Sequence, residues 1–288
     1  MILDRRTVLA AASSFAAWRA LAQEAPPVLE TYERATSGRI GLYAENLATG
    51  ANIGWRAQEH FVMCSTFKAS LAACVLARVD SGQDHLERLI PYGPQDLLDY
   101  APAARQNLGK ATSATMSVAD MCEAAVELSD NTCANLLLAE IGGPAALTAF
   151  WRSTGDEVTR LDHNEPELNR SAPGDPRNTT TPAAMAGNLR RLVLGEVLSP
   201  ASRERLTGWM LNCKTGDKRL RAGLPQSWRV GDKTGNNGKD ASGDIAVAWP
   251  MPGRPVLICV YTQDGYPTGP QLDAVFAAMG RMVGRQLS

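Results

Sequence analysis

The sequence is poor in the residues from which most metal centres are built. Its 288 residues include only three histidines, His60, His85 and His163, and these are scattered along the chain. Neither His-x-His nor His-Glu-x-x-His spacing occurs, although a zinc hydrolase uses such spacings to place two ligands together. A zinc hydrolase is therefore poorly supported, and we expect neither a metal ion nor another cofactor.

An excess of charge of one sign is also missing. Lys plus Arg total 29 and Asp plus Glu total 30, which gives a formal net charge of -1. No basic run forms the kind of patch that binds nucleic acid. These features argue against a nucleic-acid partner and favour a small-molecule ligand, and we expect the protein to be a monomer.

Regularly spaced cysteine pairs are absent, since no C-x-x-C motif occurs. Export from the cytoplasm would permit disulfides, but a domain of this size does not need them. Free cysteine commonly behaves as a small buried hydrophobic residue. We expect most of the six to do so: Cys64, Cys74, Cys122, Cys133, Cys213 and Cys259.

The apolar run near the N-terminus, at residues 8–18, is too short to span a bilayer. Arg5 and Arg6 precede it and Ala20-Leu21-Ala22 follows, in the order of an export signal with a small-residue cleavage site. The paired arginines resemble a twin-arginine signal. We predict cleavage after Ala22 and a periplasmic or secreted protein with no membrane contact, although an ordinary first helix remains an alternative.

The pattern of apolar and turn residues predicts strands at both ends of the mature chain and helices between them. One sheet must then be closed by distant parts of the chain, which indicates an α+β fold with an all-helical lobe inserted into a sheet lobe. We expect a single domain at residues 23–288, with a sheet lobe at about 23–60 and 213–288 and a helical lobe at about 61–212. The predicted segments are a helix at 26–36, strands at 39–46 and 52–57, helices at 65–79, from Ser117 and at 132–141, helices capped by Thr181 and Ser199, strands at 228–234, 245–249 and 256–262, and a helix at 271–286.

The tetrapeptide Ser65-Thr66-Phe67-Lys68 opens one predicted helix. Three residues are about 300° of helical rotation, so Ser65 and Lys68 share a face. A serine hydroxyl becomes nucleophilic when a neighbour takes its proton, and a lysine with a depressed pKa can do so. The helix N-terminus adds N–H groups for a developing oxyanion. Alone, the pattern is common and more often indicates a capping serine and a solvated surface lysine.

Two tripeptides follow along the chain. Ser-Asp-Asn at 129–131 precedes a predicted helix, where three hydrogen-bonding side chains project from one tight connection, although all three are also capping residues. Lys-Thr-Gly at 233–235 ends a predicted strand, where a cation, a hydroxyl and a position without a side chain would line a cleft wall; a strand followed by a turn is the alternative. Each motif is weak alone, but the three in this order are specific.

This combination resembles the signature of class A β-lactamases and penicillin-binding proteins. The segment Glu165-Pro166-Glu167-Leu168-Asn169 favours the first group, because it looks like the E-x-x-L-N motif of their Ω-loop, here at about 160–178. A solvated loop carboxylate is the alternative for Glu165. The resemblance covers essentially the whole mature chain. It implies the fold shared by β-lactamases and penicillin-binding proteins, with an antiparallel sheet flanked by helices, and the hydrolysis of penicillins and cephalosporins.

The resemblance also implies the catalytic roles. Ser65 attacks the β-lactam carbonyl and forms an acyl-enzyme, and Lys68 takes part in activating it. Whether Lys68 or Glu165 is the acylation base is disputed for this family. Glu165 is the expected deacylation base, and Asn169 helps to position its water. Ser129 carries a proton to the departing β-lactam nitrogen.

The remaining residues carried over from the family bind substrate. Asn131 is expected to bond the substrate's side-chain amide, and Lys233 and Thr234 its carboxylate. Backbone N–H groups of Ser65 and Asn236 are expected to form the oxyanion hole. Tyr100 resembles the aromatic wall of the cleft, with an exposed loop tyrosine as the alternative. Gly235 completes the Lys-Thr-Gly wall.

Several positions depart from the family pattern. Many members bind the carboxylate with an arginine where this chain has Ser242, whereas Arg219 matches an alternative arginine of several carbapenem-hydrolysing members. We predict that its guanidinium points into the cleft near Thr234, on the same side of the sheet as Lys233; an isolated surface arginine that points to water is the alternative. Cys64 is another feature of those members, in which it forms a disulfide, but Asn237 stands at the partner position. Carbapenem hydrolysis therefore stays open.

The neck of the Ω-loop departs most. An Arg and Asp ion pair usually closes it, and the aligned residues here are His163 and Asn178. Two neutral polar groups can share a hydrogen bond where a single unpaired charge would be costly. We predict that the two side chains lie together and hold the neck without an ion pair; two unrelated exposed residues are the alternative.

Other function classes share part of the pattern. A D-alanyl-D-alanine peptidase would carry all three motifs but would not need Glu165 or Asn169. A penicillin-binding sensor would be acylated without turnover, and it normally has membrane-spanning segments. A scaffold protein would have no use for these residues at these spacings. The sequence favours the hydrolase.

Overall fold

A computed structural model of the protein describes residues 26–170, 172 and 174–288, so the predicted export signal at 1–22 lies outside the described part. The elements in chain order are α1 (Pro27–Thr36), β1 (Arg39–Asn46), β2 (Asn52–Trp55), β3 (Phe61–Val62), α2 (Phe67–Asp80), β4 (Leu89–Tyr92), α3 (Pro102–Leu108), β5 (Ala114–Ser117), α4 (Val118–Glu127), α5 (Asn131–Ile141), α6 (Pro144–Ser153), β6 (Thr179–Thr180), α7 (Pro182–Leu189), α8 (Pro200–Leu211), α9 (Leu220–Gly223), β7 (Arg229–Asn236), β8 (Ser242–Met251), β9 (Arg254–Gln263) and α10 (Gly269–Gln286).

The main sheet joins the two ends of the described chain. Its five strands lie in the order β2-β1-β9-β8-β7, and every neighbouring pair is antiparallel. Strand β1 pairs with β9 along its whole length, from Arg39 opposite Gln263 to Asn46 opposite Val256. Helices α2 to α9 lie in the sequence between β2 and β7. The predicted α+β architecture with an antiparallel sheet is confirmed.

Each face of the sheet is buried in its own apolar core. Along β8, Ile245 and Val247 face the core that contains α2, α4, α5 and α7, whereas Ala246 and Ala248 face α1, α9 and α10. This alternation follows from the two-residue period of a strand. The Lys-Thr-Gly motif at the end of β7 therefore has one face toward the helical lobe and the other toward α10.

Local capping fixes where several helices begin. The side chains of Ser117, Thr181 and Ser199 each accept a hydrogen bond from the backbone N–H three residues later. Proline follows the second and third of these caps at the first helical position, where its missing N–H is not needed. All three predicted helix starts are confirmed.

Some predicted boundaries are wrong. Strand β2 ends at Trp55 rather than at residue 57, because Arg56 adopts a left-handed conformation with φ 44°. Helix α2 begins at Phe67 rather than at Ser65, after a 3₁₀ turn over Cys64–Thr66. The hairpin of β4 and β5 and the helices α3 and α6 were not predicted at all.

No single helix in the described part of the chain is long and apolar enough to cross a bilayer, although α5 and α6, bent by 70° at their junction, pass that test as a pair.

Candidate active site

The nucleophile turn precedes α2 at the junction between the sheet and the helical lobe. Ser65 lies in the 3₁₀ turn and is only 8% exposed. Cys64, just before it, has φ 45°, a conformation that non-glycine residues seldom adopt except where the surrounding structure enforces it. A Cβ added at Gly235 would lie 2.9 Å from the backbone nitrogen of Ser65. Glycine therefore lets the end of β7 run directly beside the nucleophile.

Lys68 is fully buried one helical turn after Ser65. Its Nζ donates to the carbonyl of Ser129 at 2.9 Å and to Oδ1 of Asn131 at 2.5 Å, and it lies 3.2 Å from Oε1 of Glu165. Burial lowers the pKa of Lys68, while the Glu165 carboxylate opposes that shift. Desolvation disfavours the charged amine and makes a neutral, proton-accepting lysine easier to reach.

The Ser-Asp-Asn motif divides its side chains between structure and chemistry. Ser129 has φ 60°, and its Oγ lies within reach of the Lys68 amine. Asp130 is fully buried and caps two helices: it accepts from Cys133 N in α5 and from Ala103 N and Ala104 N in α3. The predicted cap is thus correct for Asp130, whereas Ser129 and Asn131 contact the Lys68 amine.

Glu165 brings the Ω-loop to the nucleophile. Its Oε1 accepts a hydrogen bond from Ser65 Oγ at 3.0 Å, and its Oε2 accepts from Asn169 Nδ2 at 2.5 Å. The Glu165 side chain is fully buried. A carboxylate at this distance can take the hydroxyl proton directly, so the solvated-carboxylate alternative does not describe Glu165.

Asn135 was missed in the sequence, although it holds Glu165 in place. Its Oδ1 accepts from Glu165 N at 3.0 Å and its Nδ2 donates to Glu165 O at 2.8 Å. The available signal was spacing, because Asn135 lies four residues after Asn131 on the same face of α5. These two hydrogen bonds to the backbone N–H and C=O of Glu165 fix the loop where the carboxylate is needed.

The Lys-Thr-Gly strand supplies a second buried amine. Lys233 Nζ donates to Ser129 Oγ at 3.0 Å and to the carbonyl of Thr234 at 2.8 Å. Burial lowers the pKa of Lys233 to about 8, and the neighbouring Lys68 and Arg219 charges act in the same direction. Thr234 is 5% exposed, and its Oγ1 lies 2.5 Å from Oγ1 of Thr215, a residue that the sequence did not indicate.

Arg219 lies beside the end of β7, but not on the predicted side. Its Nη1 donates to the carbonyls of Gly235 at 2.9 Å and Gly243 at 2.8 Å, and its guanidinium lies 5.0 Å from the ring centroid of Phe276 in α10. Phe276 belongs to the core on the α10 side of the sheet, so Arg219 lies on that side. Lys233 pairs with Ile245, which faces the helical lobe. Because alternate strand residues point to opposite faces, Thr234 shares the face of Arg219 and Lys233 does not. The prediction that Arg219 and Lys233 share a side is wrong.

Tyr100 and Asn236 lie at the edges of this arrangement. Tyr100 is 51% exposed, and its carbonyl accepts from the backbone N–H of Asn131. Asn236 follows Gly235 at the end of β7, opposite Ser242 in β8, and its Oδ1 accepts from Gly238 N. Ser242 in turn donates to the carbonyl of Gly235 at 3.0 Å. Their roles toward a ligand remain predictions.

Cys64 and Asn237 show how the chain manages without a disulfide beside the nucleophile. Cys64 is fully buried, as expected, and its thiol faces the carbonyl of Ala241. The amide oxygen of Asn237 instead accepts from three backbone N–H groups of the β7–β8 turn, those of Lys239, Asp240 and Ala241. All six cysteines are free and buried.

The neck of the Ω-loop contains the predicted pair. Asn178 Nδ2 lies 3.0 Å from His163 Nδ1, and Asn178 Oδ1 accepts from the backbone N–H groups of Asp162 and His163. The prediction that the side chains lie together is confirmed. The neck is not free of ion pairs, however, because Arg160 Nε bonds the carboxylate of Asp162 at 3.0 Å.

Within the described residues, no group of three or more His, Cys, Asp or Glu side chains could hold a metal ion. A nucleophile with two flanking lysines and a loop carboxylate, held at the meeting point of a sheet and a helical lobe, is the arrangement of a serine hydrolase.

Comparison with known proteins identifies the family. The model of the beta-lactamase enzyme family matches residues 22–287. Beta-lactamase L2 of Stenotrophomonas maltophilia is 50% identical over 254 residues, which are 88% of this chain and 82% of the relative. The solved structure of an ancestral class A beta-lactamase is 56% identical with a TM-score of 0.84, covering 90% of this chain and 99% of its own.

A second solved structure, a beta lactamase from Xanthomonas campestris, is 44% identical with a TM-score of 0.87, covering 91% of this chain and 97% of its own. The chain therefore belongs to the beta-lactamase enzyme family. It is a class A serine β-lactamase, a hydrolase of the β-lactam ring.

Proposed function

We propose that the chain hydrolyses penicillins and cephalosporins through an acyl-enzyme on Ser65. The observation that carries this proposal is that Ser65 Oγ and Lys68 Nζ both lie close to Glu165 Oε1, at 3.0 Å and 3.2 Å, in a buried site. Ser65 Oγ attacks the β-lactam carbonyl carbon while its proton passes to Glu165 or Lys68. A proton taken by Glu165 moves on to the Lys68 amine, 3.2 Å away, once Lys68 has given a proton toward Ser129, so the carboxylate is ionised again. The backbone N–H groups of Ser65 and Asn236 stabilise the oxyanion.

The ring opens when the carbon–nitrogen bond breaks and the nitrogen takes a proton from Ser129 Oγ. Lys233 Nζ, 3.0 Å from that oxygen, and Lys68 Nζ, 3.5 Å away, can both replace the proton. Glu165, oriented by Asn169, then deprotonates a water molecule that attacks the ester. Ser65 leaves with a proton, and the free enzyme is restored.

Substrate binding is assigned to the residues around this centre. Thr234 and Lys233 bind the carboxylate at the end of β7, and Asn131 the side-chain amide. Arg219 contributes through its position behind Thr234, where it adds positive charge and ties Gly235 to Gly243. Tyr100 forms the outer wall of the cleft. Carbapenems are a further substrate class to assay, since Arg219 is present but the Cys64 disulfide is not.

The organisation around the site is part of the proposal. Residues 23–288 form one domain of two lobes, with boundaries near residues 60 and 213, and act as a monomer without nucleic-acid or membrane partners. Residues 1–22 direct export to the periplasm by the twin-arginine route. Such a location suits an enzyme whose hydrolysis of antibiotics confers resistance.

The test is to mix purified mature protein with a chromogenic cephalosporin and count product per enzyme. We expect many equivalents of product, and the Ser65→Ala variant should give none. A reaction that stops at one equivalent would instead indicate a penicillin-binding sensor or peptidase. The contact between Glu165 and Ser65 favours turnover, because those alternatives have no need of a deacylation base.

A further inference from the structure

The side chains of Cys213, Thr215 and Thr234 form a hydrogen-bonded row that connects the α8–α9 loop to β7. Cys213 Sγ lies 3.3 Å from Thr215 Oγ1, which in turn lies 2.5 Å from Thr234 Oγ1. Cys213 and Thr234 are 2% and 5% exposed, and Thr215 is half-buried. Cys213 and Thr215 belong to the loop between α8 and α9, whereas Thr234 belongs to β7. Thus a separate segment supports the β7 hydroxyl.

The direction of the hydrogen bond between the two threonines matters for anion binding. A hydroxyl has one proton to donate and lone pairs to accept with. If Thr234 donates to Thr215, an incoming carboxylate meets the lone pairs of Thr234. If Thr215 donates to Thr234, the proton of Thr234 is free to bond the carboxylate. Only the second arrangement makes Thr234 an anion donor.

A bound carboxylate selects that second arrangement. The carboxylate has lone pairs and no proton, so the Thr234 hydroxyl must donate to it, and Thr215 then donates to Thr234. Cys213 Sγ lies 3.3 Å from Thr215 Oγ1 at the far end of the row, and burial raises the pKa of its thiol, so no thiolate forms there to attract the Thr215 proton. The end of β7 is meanwhile held by Arg219 through the carbonyls of Gly235 and Gly243. Thr234 therefore has a fixed backbone and a directed hydroxyl.

We propose that Thr215 is a positioning residue that turns the hydroxyl of Thr234 toward the carboxylate of the β-lactam substrate. This inference rests on the proposed function of Thr234 as a carboxylate ligand. Thr215 itself acts through Thr234 and forms no bond to the reacting atoms. Its loss should therefore affect substrate binding and leave the chemical steps unchanged.

The first experiment compares Thr215→Val, which replaces the hydroxyl by a methyl group, with Thr215→Ser, which keeps it. We expect Thr215→Val to raise KM for a cephalosporin about three- to tenfold at constant kcat, as the loss of one directed hydrogen bond predicts. Thr215→Ser should restore KM. Equal KM values for wild type and Thr215→Val overturn the proposal, and Thr215→Ala provides a second variant if valine disturbs folding.

The second readout uses the same cephalosporin and its carboxylate methyl ester. The ester lacks the negative charge that a directed Thr234 hydroxyl would recognise. We expect Thr215→Val to reduce the preference for the free acid over the ester by the same factor that it raises KM. A merely structural role would impair both substrates alike, and that result overturns the proposal.

Thr234→Val separates failure of this inference from failure of the proposed function. If Thr234 binds the carboxylate and Thr215 orients it, Thr234→Val raises KM, and adding Thr215→Val has no further effect. If Thr234→Val raises KM while Thr215→Val does nothing, or if the two effects multiply, the positioning role is wrong and the role of Thr234 stands. If Thr234→Val leaves KM unchanged, both are wrong.

Discussion

At the scale of single residues, the site buries charged side chains and provides each of them with hydrogen-bond partners. Lys68 and Lys233 are both fully buried, yet each amine has at least two hydrogen-bond acceptors. A buried unpaired ammonium would be far more costly than a paired one. Ser129 links the two amines. The Ser129 hydroxyl can thus exchange a proton with either lysine amine during the reaction.

The first prediction separates acylation from deacylation. Glu165→Ala should accumulate an acyl-enzyme, because the base that activates water is removed while Ser65 survives. Intact-protein mass spectrometry after mixing with penicillin should show the added mass of one substrate. Ser65→Ala, the control, should show none. Turnover by Glu165→Ala at the wild-type rate would mean that another group is the base.

The second prediction concerns alkaline pH. Burial lowers the pKa of Lys233 to about 8, so the ammonium that we propose as a ligand of the substrate carboxylate is present below that pH and lost above it. We expect kcat/KM to fall about tenfold per pH unit on the alkaline side, as for loss of one essential proton. Measured pH profiles should place the midpoint near pH 8.

Lys233→Arg is the matched control, because a guanidinium keeps its proton throughout this range. Even if its overall activity is lower, its alkaline limb should move to higher pH. An unmoved limb would assign the ionisation to another group, with Lys68 the first to consider because burial lowers its pKa too.

At the scale of elements, hydrogen-bonded loops position the side chains that we propose as catalytic. The Ω-loop is held at its neck by His163 and Asn178 and, near Glu165, by Asn135. Asn178 has φ 59°, a conformation that asparagine tolerates better than most residues. Its amide oxygen already accepts two backbone N–H groups, so its Nδ2 donates and His163 Nδ1 accepts.

The third prediction is a double-mutant cycle in this neck. His163→Arg places a cation opposite an amide donor, and Asn178→Asp places a second acceptor opposite His163 Nδ1. Each change alone should reduce the free energy of unfolding, and the double variant should recover part of the loss, with a coupling of roughly 0.5–3 kcal/mol. Urea unfolding of the four proteins measures this coupling.

His85, an exposed histidine, supplies the control for the cycle. His85→Arg combined with Asn178→Asp should be additive, because the two sites do not share partners. Additivity in the His163 cycle as well would show that the neck contact has no energetic consequence. The nearby Arg160 and Asp162 ion pair is left intact in every variant.

At the scale of the whole molecule, the sheet buries acidic groups on its α10 face. Asp232 is paired with Arg221, whose Nη2 lies 2.7 Å from its Oδ1. Asp244 is fully buried and accepts one hydrogen bond, from Leu220 N at 3.1 Å. Burial raises the pKa of Asp244 well above its ordinary value, and the nearby Asp232 adds to the shift. Folding therefore favours the protonated form of Asp244.

The fourth prediction follows from that proton. The unfolded chain releases it at lower pH than the folded chain, so its contribution to stability is complete at low pH and is lost as pH rises toward the folded-state pKa. Asp244→Asn cannot ionise. The stability of the variant relative to wild type should rise with pH by up to about 1.4 kcal/mol per unit.

Thermal or urea unfolding between pH 4 and pH 8, a range chosen to span roughly the ordinary carboxyl pKa and neutrality, tests this change. Asp217→Asn, at an exposed carboxylate, is the matched control and should show no such trend. A constant difference between Asp244→Asn and wild type across the range would mean that Asp244 is charged in the folded protein. Asp232→Asn should instead destabilise by about 3–5 kcal/mol, because it removes the anion paired with Arg221 and leaves that guanidinium only backbone carbonyls as acceptors.

Local sequence determined much of this protein. Caps at Ser117, Thr181 and Ser199 fixed helix starts, because side-chain-to-backbone bonds span only three residues. Alternation and helical periodicity indicated the five sheet strands and the final helix. The three motifs, with Glu165 and Asn169, indicated through resemblance the catalytic side chains that we propose. The pairing of His163 with Asn178 was also accessible, because two aligned positions had changed together.

Only the tertiary structure decided which distant residues meet. Asn135 and Thr215 carry no motif, and their importance arises because α5 and the α8–α9 loop bring them to Glu165 and Thr234. The side of the sheet on which Arg219 lies depends on the packing of α9 against α10. The sequence pattern of the strands could not predict that packing. The depressed pKa of Lys233 likewise requires burial by segments far apart in the chain. Sequence patterns report local geometry, whereas desolvation and long-range contacts exist only once the chain has closed on itself.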